Sequence, residues 1–207
     1  MHYTRKKKTR RARACVSNDK LDAERKAFQA EWATLSVDRL HVLDETGIHL
    51  GMTPTYGRAL RGRRVEGTAP VNPGMNITVV GSLGRYGMTS MMMLPGALDG
   101  AAFKAYVDAC LVPVLRHGDV VLMDHLRVHK VKGIEAAIEK SGAKVKCLPP
   151  YSPDLSPIEL AWSKIKGLLR QAAARTYEAL QKAIAHAVQC ITESDIRGWF
   201  KHCHYCV

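Results

Sequence analysis

At 207 residues the chain has room for one mid-sized domain with a real core plus a short appendage. Its 46% hydrophobic content fits a soluble globular protein; no apolar run approaches the roughly 18 residues of a membrane span, and "MHYTRKKKTRRAR" has no apolar core after its charges, so neither signal peptide nor anchor is expected. Thirty-one Lys and Arg against 19 Asp and Glu give +12, which favours a polyanionic partner because neutralised phosphates release their counterions.

The charge falls in three clusters. Lys6, Lys7, Lys8, Arg10 and Arg11 lie in the opening arm, Arg58, Arg61, Arg63 and Arg64 in "GRALRGRR", and Lys164, Lys166 and Arg170 on one side of a late helix. Residues 1–38 read as this basic arm followed by a linker helix, with Leu21, Arg25, Phe28 and Trp32 at helical spacing. "RLHVLDETG" predicts a short buried strand, Leu40 to Leu43, ending at Asp44. "MNITVVGSLG" and "GMTSMMMLPG" then form an antiparallel hairpin around the Gly84 to Gly87 turn, with the methionines filling core.

Apolar residues at 103, 106, 107, 110, 111 and 114 predict an amphipathic helix. "DVVLMDH" is a continuous apolar run suited to a strand buried on both faces, ending in Asp124. A helix ending at Gly142, a strand "KVKCLPP", a helix from Ser156 to Gln171 and a last helix from Tyr177 to Thr192 complete the order. The expected fold is therefore α/β, a mixed sheet with an antiparallel hairpin and parallel strands flanked by helices. The main domain is 39–172, and 173–207 forms a C-terminal helix and tail.

Asp44 and Asp124 each end an apolar strand, where ligands gather in α/β sheets. Glu159 opens a helix after another strand. If the two strands are parallel neighbours, three carboxylates meet, a donor set suited to Mg²⁺ or Mn²⁺. Two such ions about 4 Å apart hold both the attacking and the leaving oxygen of a phosphodiester displacement. Local alternatives stand beside this reading. Ser156-Pro157-Ile158-Glu159 is also an S-x-x-E capping box, a strand-end Asp also serves as a turn residue, and Glu45 is a second candidate beside Asp44. Alternation gives Asp44 a modest advantage, because it shares a face with Val42 while Glu45 points the other way.

Six scattered cysteines fit a reducing compartment, and Cys203-x-x-Cys206 is half a zinc site on an expected frayed tail. "LDETG", "VLMDHLRVHK" and "LPPYSPDLSPIELAWSKIK", with 34 residues between Asp124 and Glu159, resemble the signature blocks of the DDE transposases of the mariner-like superfamily, bacterial insertion-sequence branch. "TYGRALRGRR" and "ITESDIRGWFKHCHY" resemble further segments of that family. The resemblance spans about 38 to 207.

It implies an RNase H-like catalytic domain in which Asp44, Asp124 and Glu159 hold two Mg²⁺ or Mn²⁺ ions. Water would cut the element's DNA ends, and the freed 3′-OH would attack target DNA, typically at TA. It further implies a homodimer, a bacterial cytoplasmic and nucleoid-associated setting, no membrane partner, and His129 with Lys130 near the DNA. Two departures stand out: His125 where the branch usually has Asn, and no N-terminal helix-turn-helix region ahead of the basic arm, so that a separate helix-turn-helix protein is a possible partner. The competing reading is a truncated DNA-binding remnant, or a regulatory partner of a full-length transposase, without catalysis.

Overall fold

Strand β1, Leu40–His49, feeds two cores at once, because its apolar side chains alternate between the faces of the sheet. In the computed structural model, which describes residues 19–32, 36–124 and 133–207, β1 is the centre of a five-stranded mixed sheet. β2 (Asn76–Gly84) pairs antiparallel with β1, and β3 (Gly87–Pro95) antiparallel with β2. β4 (Val120–Asp124) lies parallel to β1 on its other side, with β5 (Lys144–Leu148) parallel beyond it. The order β3-β2-β1-β4-β5 is the expected hairpin joined to parallel crossovers.

Among the described residues six α-helices flank the sheet: α1 (Asp19–Trp32), α2 (Gly100–Tyr106), α3 (Ile134–Lys140), α4 (Pro157–Ala172), α5 (Tyr177–Gln189) and α6 (Glu193–His202). On one face Val42, Val79 and Leu122 pack with Ile158, Trp162, Ile165 and Leu169 of α4 and with α5 and α6. On the other, Leu43, Val80, Val121 and Met123 pack with α2 and α3 through Phe103, Tyr106, Ile134 and Ile138. Among the described residues no helix is long and apolar enough to cross a membrane.

Several expectations need correction. β1 runs six residues past Leu43, so Asp44 lies within the strand rather than at its end. The antiparallel pairing with β2 explains this, because it continues to His49↔Asn76 after the parallel pairing with β4 stops at Val42↔Leu122. The helix expected over 103–114 is not uniform: α2 passes into a π turn at Val107–Leu111 and a 3-10 turn at Val112–Val114, where Pro113 supplies no amide.

The C-terminal segment holds two helices. The expected helix over 177–192 is α5, which stops at Gln189, and the second is a further helix in the residues read as tail, where Thr192 with Asp195 forms the capping box that starts α6. Asp195 also accepts from Lys164 of α4; that bond and the Thr192 hydroxyl hold its carboxyl down at about 2. The tail after α6 is not frayed. Cys203 and Tyr205 are buried, and Tyr205 donates its hydroxyl to the Leu155 carbonyl at 2.8 Å. α1 is likewise more than a linker, since Trp32 is buried against Tyr205, and Lys146 of β5 pairs with Glu31.

A buried polar chain ties the far end of the sheet. His41 reaches Asp119 at 3.2 Å through one ring nitrogen and Thr89 at 3.1 Å through the other, and Asp119 also accepts from the Arg116 amide. Burial lowers the His41 pKa below 6.5, outweighing the attraction of Asp119. The unfolded chain therefore binds this proton more readily than the folded one. The contribution of His41 to stability is complete above pH 6.5 and is lost as pH falls below that value toward the lowered folded one. Urea midpoints measured at pH 7.5 and 5.5 are expected to fall with acid, and to fall less in a His41→Gln protein. A midpoint gap unchanged by that substitution would contradict this assignment.

Candidate active site

The register of β1 on β4 determines where two of the carboxylates stand. Leu40, His41 and Val42 pair with Val120, Val121 and Leu122, and each strand carries an aspartate two residues beyond the last paired rung, Asp44 and Asp124. Val42 and Leu122 both face the α4 core, and with a period of two Asp44 and Asp124 follow them to that face. Asp44 is half-buried and Asp124, at the last position of β4, is exposed.

Glu159 comes from the helix packed on that face. It is the third residue of α4 and is exposed at the helix start. The capping box expected here does not form. Ser156 occupies the N-cap position, but its hydroxyl makes no cap bond and its amide already donates to the Pro153 carbonyl at 3.1 Å, leaving nothing for Glu159 to cap.

α4 packs closely on the sheet at one glycine. Trp162, one turn after Glu159, lies over Gly81 of β2, and Gly81 is the residue that pairs with Asp44. A Cβ at position 81 would stand 2.9 Å from Met88 Cε, 3.0 Å from the Ser90 carbonyl and 3.2 Å from the Trp162 ring, so a bare backbone keeps this spot beside Asp44 close-packed.

Asp44, Asp124 and Glu159 line one cavity of about 320 Å³, walled otherwise by Leu43, Leu148 to Pro153 and Ser156. Glu45 is not among its lining residues. The turn over 149–156 is braced from two distant parts of the chain. Arg25 of α1 donates to the Ser152 hydroxyl at 2.5 Å and pairs with Asp154, while Tyr205 holds Leu155. A larger depression of about 770 Å³ at α6 is lined by Glu193, Arg197 and Lys201 and contains none of the three carboxylates, so the acidic chemistry belongs to the smaller cavity.

Among the described residues no three His, Cys, Asp or Glu side chains close on one point as a ready-made metal site. The carboxylates instead face the cavity from separate elements. That suits Mg²⁺ or Mn²⁺, which are held through one or two carboxylates and keep remaining positions for water and phosphate oxygens. The donor set contains no nitrogen or sulfur, which also argues for these hard ions. Cys203 is buried, and burial pushes its thiol up to about 12.

The basic residues are distributed unevenly. Arg58, Arg61, Arg63 and Arg64 are exposed in the long connection from β1 to β2. Lys164 is engaged by Asp195, while Lys166 and Arg170 are half-buried farther along α4. Lys6, Lys7, Lys8, Arg10, Arg11, His125, His129 and Lys130 lie outside the described residues. Sequence reading missed Arg25, Gly81, Tyr151 and Tyr205. Only Tyr151 carried a local signal, an aromatic residue set among four prolines; the others act through partners remote in sequence.

A family model described as DDE superfamily endonuclease matches residues 39–181. The sequence matches no curated protein. Among solved structures, the chain is similar to the pre-cleavage Mos1 transpososome with a TM-score of 0.73 at 16% identity, covering 97% of this chain and 63% of that one. The Mos1 mariner paired-end complex with Mn gives 0.71 at 18% identity, covering 95% and 64%. The catalytic domain of Mos1 mariner transposase gives 0.65 at 15% identity, covering 91% and 89%. The chain thus spans a little under two thirds of the longer Mos1 chains, and the likeness establishes the RNase H-like fold.

Proposed function

The chain belongs to the DDE superfamily of endonucleases, and on that premise we propose that it is the catalytic part of a DNA transposase of the mariner-like, bacterial insertion-sequence kind. The observation that supports this reading is the shared cavity, lined by Asp44 of β1, Asp124 of β4 and Glu159 from the first turn of α4. These three residues would hold two Mg²⁺ or Mn²⁺ ions. Such ions, when bound, supply Lewis-acid stabilisation of the phosphoryl oxygens and a nucleophile at neutral pH.

The protein's own groups contribute position and charge. Ionised carboxylates accept only, so they present lone pairs to the cavity without donating to a phosphate. The sheet carries the two aspartates, and the packing of α4 on it brings Glu159 to the same cavity. Arg58, Arg61, Arg63 and Arg64, with Lys166 and Arg170, would bind the DNA backbone without reading its sequence. The reaction is hydrolysis at an element end to free a 3′-OH, then attack of that hydroxyl on a target phosphodiester, each step forming one P–O bond as another breaks. Two ends must be joined, so the working form is a homodimer, with end recognition supplied by a helix-turn-helix module.

The test uses the purified chain, supercoiled plasmid and a pre-cut element end. Nicking and joined product are expected in Mg²⁺ or Mn²⁺ and not in EDTA. DNA binding with no product under either metal, even with a helix-turn-helix companion added, would identify a non-catalytic remnant instead.

A further inference from the structure

Tyr151 is the aromatic residue on the wall of the carboxylate cavity, and nothing in the metal-site reading uses it. Its backbone has φ 55, in the left-handed region that residues with a Cβ adopt at a cost. Its ring is 64% exposed although a large apolar surface is better buried. A residue that is both strained and exposed beside a candidate active site calls for a ligand.

The turn that presents it cannot easily relax. On the N-terminal side, Leu148 is paired with Asp124 across β5 and β4, and Pro149 and Pro150 restrict the chain. On the C-terminal side, Ser152 and Asp154 are held by Arg25, and Leu155 by Tyr205. The other strongly exposed tyrosines differ. Tyr86 carries the Arg85 guanidinium 5.5 Å from its ring centroid, and neither it nor Tyr56 lines the cavity.

We infer that Tyr151 is a base-stacking residue: its ring receives a nucleobase unstacked from the DNA beside the phosphodiester that the carboxylates address. The inference rests on the DNA-processing reading of this cavity. Leu148, Pro149 and Pro150 give the cavity an apolar side next to the ring, suited to a base or sugar rather than to a phosphate. Stacking on a single aromatic face tolerates any base, so Tyr151 would select unpaired structure near the cut and not sequence.

The experiment titrates the full chain, in EDTA so that no cutting is needed, with a mixed-sequence single-stranded oligonucleotide containing 2-aminopurine and with a fully paired duplex of the same length. Tyr151→Asn removes the ring while keeping a residue that tolerates the left-handed backbone, and Tyr151→Phe keeps the ring. Tyr151→Asn is expected to bind the single strand at least about fivefold more weakly and to lose 2-aminopurine quenching, with duplex affinity unchanged. Tyr151→Phe is expected to retain both, and thermal melting shows that each variant is folded.

Equal quenching and affinity in wild type and Tyr151→Asn would overturn the inference, as would an equal loss on duplex and single strand. Quenching is read without catalysis, so it separates the two readings. A protein that stacks bases but never cuts in Mg²⁺ or Mn²⁺ refutes the proposed function alone, and one that cuts without any Tyr151-dependent quenching refutes the stacking role alone.

Discussion

An Asp124→Asn or Glu159→Gln protein is expected to cut and join DNA at least about a hundredfold more slowly than wild type while binding DNA as tightly or slightly more tightly. Each exchange keeps the shape of the side chain and removes its charge, replacing one acceptor oxygen by a donating amide. A hard divalent ion loses an anionic ligand, and changes even to groups behind the ligands typically cost about 10–100-fold in affinity or activity. Affinity for DNA moves the other way if at all, because a negative charge facing the phosphates has gone. Both residues are exposed, so melting temperature should change little. Single-turnover cutting at saturating Mg²⁺, set beside a salt-controlled binding titration, makes the comparison. Full activity in either variant would remove that residue from the triad.

Trp162→Ala is expected to cost about 3–5 kcal/mol of stability, the largest single-residue effect anticipated in the molecule. Trp162 is 2% exposed and joins α4 to the sheet on the face that carries Asp44. Its ring fills the space left open by Gly81, so truncation leaves a cavity that the rigid sheet cannot close. Trp162 lies one turn after Glu159 on α4, so whatever protein remains folded should also cut DNA poorly. Urea denaturation followed by circular dichroism measures the first effect, and activity under conditions where the variant is still folded measures the second. A loss under about 1 kcal/mol would mean that α4 repacks around the gap.

Much of this arrangement was legible in the chain because its signals are local and periodic. The unbroken apolar run Val120 to Met123 gave a strand buried on both faces, and the hairpin followed from the glycines at 84 and 87 between two apolar segments. Pro157 marked the start of α4, and Ile158, Trp162, Ile165 and Leu169 gave its buried side. Legibility failed where pairing with remote residues overrides local preference. The sequence of β1 beyond Asp44 turns polar and contains Gly47, which reads as an exit from the sheet; five rungs of pairing with β2, Glu45↔Val80 to His49↔Asn76, hold it in as strand. The capping box was a sound local pattern that lost because Pro153 had already taken the Ser156 amide. The tail looked loose because the partners of Cys203 and Tyr205 are distant in sequence.

By itself the sequence determined the element order, the alternation that places Asp44 with Val42 and Asp124 with Leu122, and the excess of positive charge, since each depends only on nearest-neighbour geometry or on composition. The tertiary structure decided what those residues could do together. The parallel pairing of β1 with β4 and the packing of α4 on the sheet brought Asp44, Asp124 and Glu159 to one cavity, and Arg25 and Tyr205 braced the turn that presents Tyr151. Each of these is a meeting of groups far apart in the chain, and such meetings are determined by packing a common core, which no local pattern encodes.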